Sequence, residues 1–479
     1  MIRLEATTQA IDITPSDALG KTITTGLFGL LVFSTLAYGT VEPWSVAVFG
    51  GMVVLFWVLW AARCVQRKRL TFTAPSAFWP FLGLIVLGGL QSLALTDESG
   101  RRIAISMDVE ATRLALEVLA VLLLAGLLAA KFLARLERLT LLRNFLVTFG
   151  LVLAVFGLLQ HFTWNGKYYW VFAPINPPLS PFGPFVNHNH FAGYLELIIP
   201  IPVAFILLRA VYGELSLYYG FAAVVMSVAV FLSLSRGGMI SLISGLVFVI
   251  GFGLKPAFER MRGYHGKAGA LSRIGAVIVI LLTIGVGVWW IGADMVLDRM
   301  QHTDFISTGE KPRDGQEDFF KSRGWIWRDT VAMIRANWVT GVGVGAFPTA
   351  FSHYSQDDGS SLISQAHNDY LQIVADGGIV GAGLALWFLV IVGRDFARSL
   401  RQRDDARVAM ALGCGGGVFA LLVHSLFDFN LQLPSNAFLF LVLVAVLARL
   451  SAAADDGRVS PVLLTRTGFG GRAASKWEV

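Results

Sequence analysis

Apolar stretches of about 18–20 residues recur along this chain, and each is long enough to cross a hydrocarbon core of roughly 30 Å. Such segments must satisfy their backbone polar groups internally, which in runs of this length means helices. The composition agrees: 55% of residues are hydrophobic and 15% charged, against about 25% charged in a soluble domain. The reading is an all-α polytopic membrane protein of about twelve transmembrane helices. The spans fall near 22–40, 44–62, 77–95, 110–130, 144–162, 191–208, 216–234, 238–254, 274–293, 378–393, 407–427 and 436–450. Met1 to Lys21 is polar and mixed, so no signal peptide is expected. Cys64 and Cys414 fall near the basic loops, and no disulfide framework is expected.

Net charge is +6, but it points to no nucleic acid, because the basic residues are shared among alternate loops. These carry Arg63, Arg67, Lys68 and Arg69; Lys131, Arg135, Arg138 and Arg143; Lys255, Arg260, Arg262, Lys267 and Arg273; and Arg394, Arg398, Arg401, Arg403 and Arg407. The positive-inside rule puts them, and both termini, in the cytoplasm. The order is then a cytoplasmic segment 1–21, a bundle of nine spans 22–293, an outer loop domain 294–377, three spans 378–450 and a polar tail 451–479 expected to lack order. A second outer loop, 163–190, is rich in aromatics and proline. Loops this long are usually functional or disordered. The larger one carries helical patterning, with Arg323, Trp327, Val331 and Ile334 on one face, then Gly341 to Gly345 as a turn. His367, Tyr370, Leu371 and Val374 mark a second helix, which Gly377-Gly378 should stop before the tenth span.

The unusual polar motifs all fall at outer ends of spans or in the loops joining them. Arg236 lies in Ser235-Arg236-Gly237-Gly238. An arginine at a short turn can simply snorkel, yet paired glycines admit a close neighbour and a guanidinium grips phosphate through two donors. Arg323 opens an aromatic-rich helix on which Arg328 and Arg335 compete for any role given to it. His367, in His367-Asn368-Asp369-Tyr370, is the best candidate for a general base, since histidine titrates near about pH 6.5; it could equally cap a helix. Asp369 or another carboxylate could orient its second nitrogen. Asn187-His188-Asn189-His190 lacks metal-ligand spacing, and Asn187, Asn189 and His190 are read as hydrogen-bonding a sugar or a neighbouring loop. His424 and Asp428, at i and i+4, form either a substrate contact or a buried pair that locks the bundle.

Taken together, these motifs resemble the O-antigen ligase and O-antigen polymerase superfamily of bacterial envelope enzymes. The resemblance rests on Phe185-Val186-Asn187-His188-Asn189-His190-Phe191-Ala192, on Ser235-Arg236-Gly237, on Arg323 four residues before Trp327 with the glycine turn to Phe347, and on His367-Asn368 followed by Tyr370-Leu371. It covers roughly 185–434, along with the span layout. One departure is Lys321 and Gly324-Trp325 around Arg323, which lets the assignment slip to Arg328.

The resemblance implies a metal-independent, inverting glycosyltransferase of the helical, GT-C-like membrane class, without cofactor, in the bacterial inner membrane with its site toward the periplasm. Its donor would be a glycan on undecaprenyl diphosphate. Its acceptor would be a sugar hydroxyl, on lipid A–core in a ligase or on a growing glycan in a polymerase. Arg236 and Arg323 would bind the diphosphate and His367 would activate the hydroxyl. Arg328, Asn187, Asn189, His190, Asn368, Tyr370, His424 and Asp428 are the further substrate contacts expected. A protein O-oligosaccharyltransferase of the same superfamily is an alternative. A carrier for lipid-linked glycan is another, but it needs charged or broken-helix sites at mid-membrane, where these spans hold mainly Glu117 and Glu196.

Overall fold

The computed structural model describes residues 17–70, 72–96, 102–172, 181–261, 319–355 and 363–456. Among these, ten helices are long and apolar enough to cross a membrane, and a shorter apolar helix stands where the third span is expected. The expected ninth span, 274–293, lies outside the described residues, as do the loop's first part and the tail from residue 457. The protein is a polytopic all-α membrane protein.

The helices are α1 Ala18–Leu36, α2 Pro43–Arg67, α3 Phe78–Gln91, α4 Val109–Phe132, α5 Leu139–Phe162, α6 His188–Ile198, α7 Pro200–Leu207, α8 Gly213–Leu232, α9 Arg236–Met261, α10 Phe319–Ala336, α11 Phe347–Phe351, α12 Asp369–Ser399, α13 Asp405–His424 and α14 Pro434–Asp456. A two-residue antiparallel pair, Leu95–Thr96 with Arg102–Ile103, lies between α3 and α4. The expected sixth span is two helices, because Pro200 and Pro202 have no backbone donors with which to continue α6. Gly377-Gly378 bends α12 instead of stopping it: Gly378 takes φ 59°, ψ −153° and the helix resumes beyond it.

The centre of the bundle is α6–α7 with α13 and α14. The span from His188 to Leu207 is wholly buried, whereas α2 faces outward over most of its length. Small residues on α13 make the close approach. A Cβ at Gly417 would sit 2.3 Å from the Leu197 carbonyl oxygen, and one at Gly413 would sit 2.6 Å from the Ile201 Cα.

The two ends of the bundle differ chemically. At one end lie the basic residues: Asp17 bridges Arg63 at 2.7 Å and Arg67 at 3.2 Å, and Arg394 donates to Ser76 Oγ at 2.8 Å. At the other end, α10, α11 and the first turns of α12 enclose a second apolar core of Ile326, Met333, Val342, Phe347, Phe351 and Ala375. The end of α3 carries this unit: Gln91 Nε2 donates to the Thr340 and Asp376 carbonyls at 2.6 and 2.8 Å, and its Oε1 accepts from Val344 N at 3.0 Å.

Candidate active site

The site is assembled where the α13 chain leaves its helix. Beyond His424 the backbone turns through Ser425 to Phe429 and drops into a 3-10 turn, Asn430–Gln432, before α14. Asp428 N donates to the His424 carbonyl at 3.0 Å, but the two side chains do not pair. His424 instead meets Glu196 of α6, Nδ1 to Oε2 at 3.1 Å, with both side chains at most 1% exposed. Asp428, fully buried, turns toward the loop unit.

Two candidate residues converge on Asp428. His367 Nδ1 lies 3.3 Å from its Oδ1, and Arg323 Nη2 lies 3.5 Å from its Oδ2. Arg323 Nη1 also donates to the Phe427 carbonyl, and Phe429 N donates to Asp428 Oδ1 at 2.9 Å. Burial alone would raise the Asp428 carboxyl; the Arg323 guanidinium and the His367 hydrogen bond outweigh it and hold the group well below the ordinary carboxylate range. With Asp428 ionised, Nδ1 of His367 carries the proton and Nε2 is the nitrogen left for chemistry. The carboxylate that orients His367 is thus Asp428. Asp369 is occupied elsewhere, its Oδ2 accepting from Ser425 Oγ at 2.8 Å and Leu431 N at 3.3 Å.

The segment bearing His367 is fixed from both sides. Trp327, one turn after Arg323 on α10, donates through Nε1 to the Ala366 carbonyl at 3.0 Å. Ala366 N donates to Gln372 Oε1 at 2.8 Å. His367 adopts φ 49°, a left-handed conformation costing roughly 1–2 kcal/mol in a non-glycine residue. Its ring packs edge-on to Phe429 at 4.9 Å, and the His190 ring meets the same phenyl at 4.8 Å.

Arg236 is the first residue of α9. Ser235 precedes it as the cap, its Oγ accepting from Gly238 N at 3.1 Å. The glycines of this motif are there for close approach: a Cβ at Gly237 would lie 3.0 Å from the His424 ring and 3.3 Å from Phe427 Cβ. Phe427 therefore borders both arginine-bearing elements. Beside this turn is a cavity of about 280 Å³ lined by Gln160, His161, Trp164, His188 and Ser233.

Several expected contacts have local structural roles. Asn187 caps α6, accepting from Asn189 N at 2.8 Å. Asn368 caps α12 through Tyr370 N and Leu371 N, and its amide donates to the Leu426 carbonyl at 3.0 Å. Tyr370 ties α12 to α13 through the Leu422 carbonyl at 2.8 Å. Asn189 and His190 are buried. Arg328 is half-exposed and pairs with its neighbour Asp329 at 2.9 Å, away from Asp428. Sequence reasoning missed Glu196 and Phe429 as members of the site. A glutamate in a charge-poor span was the available signal for the first; nothing in the sequence singled out the second.

A family model described as O-antigen ligase matches residues 221–387. The matched segment contains Arg236, Arg323 and His367, while Asp428 lies beyond it. No curated protein matches the chain. Over this part, about a third of its length, the chain is similar to the O-antigen ligase family.

Proposed function

We propose that the protein transfers a glycan from a polyprenyl diphosphate to a sugar hydroxyl with inversion, as an O-antigen ligase acting on lipid A–core. A polymerase or a protein O-oligosaccharyltransferase would use the same site. The observation that carries the reading is the His367–Asp428 pair beside Arg323, at the bundle end opposite the basic loops. The acceptor oxygen attacks the anomeric carbon and gives its proton to Nε2 of His367. The glycosyl C–O bond breaks, and the diphosphate leaves with the electron pair. Asp428 stabilises the imidazolium as it forms.

The leaving diphosphate gains negative charge, and preorganised arginines stabilise it in a partly dry site. Arg236 opens α9, so the partial positive charge of that helix N-terminus adds to its own. Arg323 would exchange part of its contact with Asp428 and Phe427 for phosphate. The aromatic and histidine lining of the smaller cavity beside Arg236 suits a donor sugar. The basic loops favour a cytoplasmic position for the opposite end, which leaves the site facing the periplasm. A carrier is disfavoured because the buried Glu196 is paired to His424 at the site end. Purified protein in nanodiscs, given lipid-linked donor and either lipid A–core or free glycan, tests the reading. Transfer to lipid A–core supports a ligase, transfer to glycan a polymerase; no transfer to either, nor to a protein acceptor added in a third arm, refutes the enzyme.

A further inference from the structure

A cavity of about 380 Å³ opens between α3, α4, α12 and α14, beneath the end of α13. Its depth is apolar, with Phe81, Leu84, Leu119, Phe388 and Leu441 among the lining side chains. Its upper end is polar and carries Asp369, Tyr370, Gln372, Asp376 and Ser425. Both aspartates are more than nine-tenths buried, and no arginine or lysine lines the cavity. Asp369 Oδ1 has no hydrogen-bond partner among the described residues.

The end of α13 divides this cavity from the arginine side. On one flank His424 touches Glu196 of α6 and Gly237 of α9. On the other, Leu422 and Ser425 receive Tyr370 and donate to Asp369, respectively. His367 precedes the cavity's polar end by two residues and reaches Asp428 between the flanks. A diphosphate placed at the polar end would meet buried carboxyl groups and no cation to pair with. A hydroxyl-bearing head would instead satisfy Asp369. The size and the apolar lining suit an alkyl chain.

Resting on the glycosyltransferase reading, we propose that this cavity holds a hydrocarbon chain of a glycolipid acceptor, whose hydroxylated head donates to Asp369. Donor and acceptor would then dock on opposite flanks of α13 with His367 between them.

Photo-crosslinking tests this without depending on turnover. The full chain in nanodiscs is exposed to a neutral glycolipid with a diazirine in its acyl chain, or to polyprenyl diphosphate with a diazirine in its isoprenoid chain, and labelled peptides are mapped. The glycolipid should label cavity-lining residues of α4 and α12. Ala385→Trp, which fills the cavity, should cut that labelling by about tenfold or more. Leu386→Trp, on the exposed face of α12, should leave it unchanged and so controls for folding. Asp369→Asn should weaken capture of the hydroxylated head but not of a plain alkane probe. If the polyprenyl diphosphate labels the cavity in place of the glycolipid, or if neither does, the assignment is overturned. Failure of transfer in the nanodisc assay would refute the enzyme reading separately, since labelling is read without transfer.

Discussion

His367 and Asp428, 61 residues apart in sequence, meet Nδ1 to Oδ1 at 3.3 Å, and the same carboxylate faces Arg323 through its other oxygen at 3.5 Å. One buried anion thus orients the candidate base and neutralises a candidate phosphate ligand. Its loss should have two separable effects.

Asp428→Asn keeps the shape but removes the charge that supports the imidazolium. The transfer step should slow by roughly 10²–10⁴-fold, and donor binding should hold or tighten because Arg323 is released. Single-turnover rates and donor affinity, measured on the same preparation, check both. A variant with normal rate and weakened donor would make Asp428 a scaffold for Arg323 alone.

The same residue predicts a pH dependence of stability. Its folded pKa is depressed, so its contribution is fully present above the unfolded value of about 3.9 and is lost as pH falls from there toward the folded value. Between about pH 5 and 8 the carboxylate stays ionised in both states. Melting curves of wild type and Asp428→Asn should therefore converge only under strong acid, below the unfolded value. A gap that closes as pH falls from about 7 to about 5 would mean that the folded carboxyl is not held low; protonation of the histidines that face Asp428 can only widen it.

Arg236→Ala and Arg323→Ala should weaken use of the lipid diphosphate, and lysine should rescue poorly because it lacks the two-donor fork. Arg328→Ala should change little. Its side chain is 51% exposed and pairs with an adjacent aspartate, and exposed pairs contribute about 0–1 kcal/mol. A donor defect confined to Arg328→Ala would move the phosphate contact one turn along α10. Transfer should also survive EDTA, because two arginines can carry the diphosphate charge; loss in chelator with recovery on Mg²⁺ would contradict the arginine clamp.

Much of this was legible in the sequence. Among the described residues hydropathy located most membrane helices to within a turn or two, because a span must be long and apolar whatever its neighbours; α12, which begins at Asp369 ahead of the expected start at 378, departs most. The residues of the Ser-Arg-Gly turn, Arg323, His367 and Asp428 were visible as polar groups at span ends or in the loops joining them. Their partners were not. Glu196 and His424 are 228 residues apart, and Arg323 reaches Phe427 across 104; such pairings follow from how helices pack. The i, i+4 spacing of His424 and Asp428 suggested a side-chain pair, but each side chain turns to a partner distant in sequence, His424 to Glu196 and Asp428 to His367 and Arg323. Asn187 and Asn368 read as ligands in sequence, and in the structure their side-chain oxygens cap helices.

The bend in α12 offers a stability test. A Cβ at Gly378 would lie 2.4 Å from the Val339 carbonyl oxygen, at φ 59°. Gly378→Ala should destabilise the loop unit by more than the roughly 1–3 kcal/mol of backbone strain alone, seen as a lower melting temperature and faster proteolysis around α10 and α11. An unchanged melt would mean that the kink relaxes freely.

The proposed sidedness rests on the charged loops. In a background carrying Cys64→Ser and Cys414→Ala, a cysteine at Ser352, exposed in the loop unit, should react with an impermeant maleimide in intact spheroplasts. A cysteine at Arg403, exposed between α12 and α13, should react only after permeabilisation. The opposite pattern would invert the topology.

The central claim is that His367 takes the acceptor proton. Single-turnover transfer from lipid-linked donor, measured with donor saturating, puts it to the test in His367→Ala and His367→Gln. The account predicts donor affinity near that of wild type and a transfer rate lower by roughly 10²–10⁴-fold, not recovered by more donor. A variant that transfers at the wild-type rate once donor saturates would contradict it, and would leave His367 as a binding residue only.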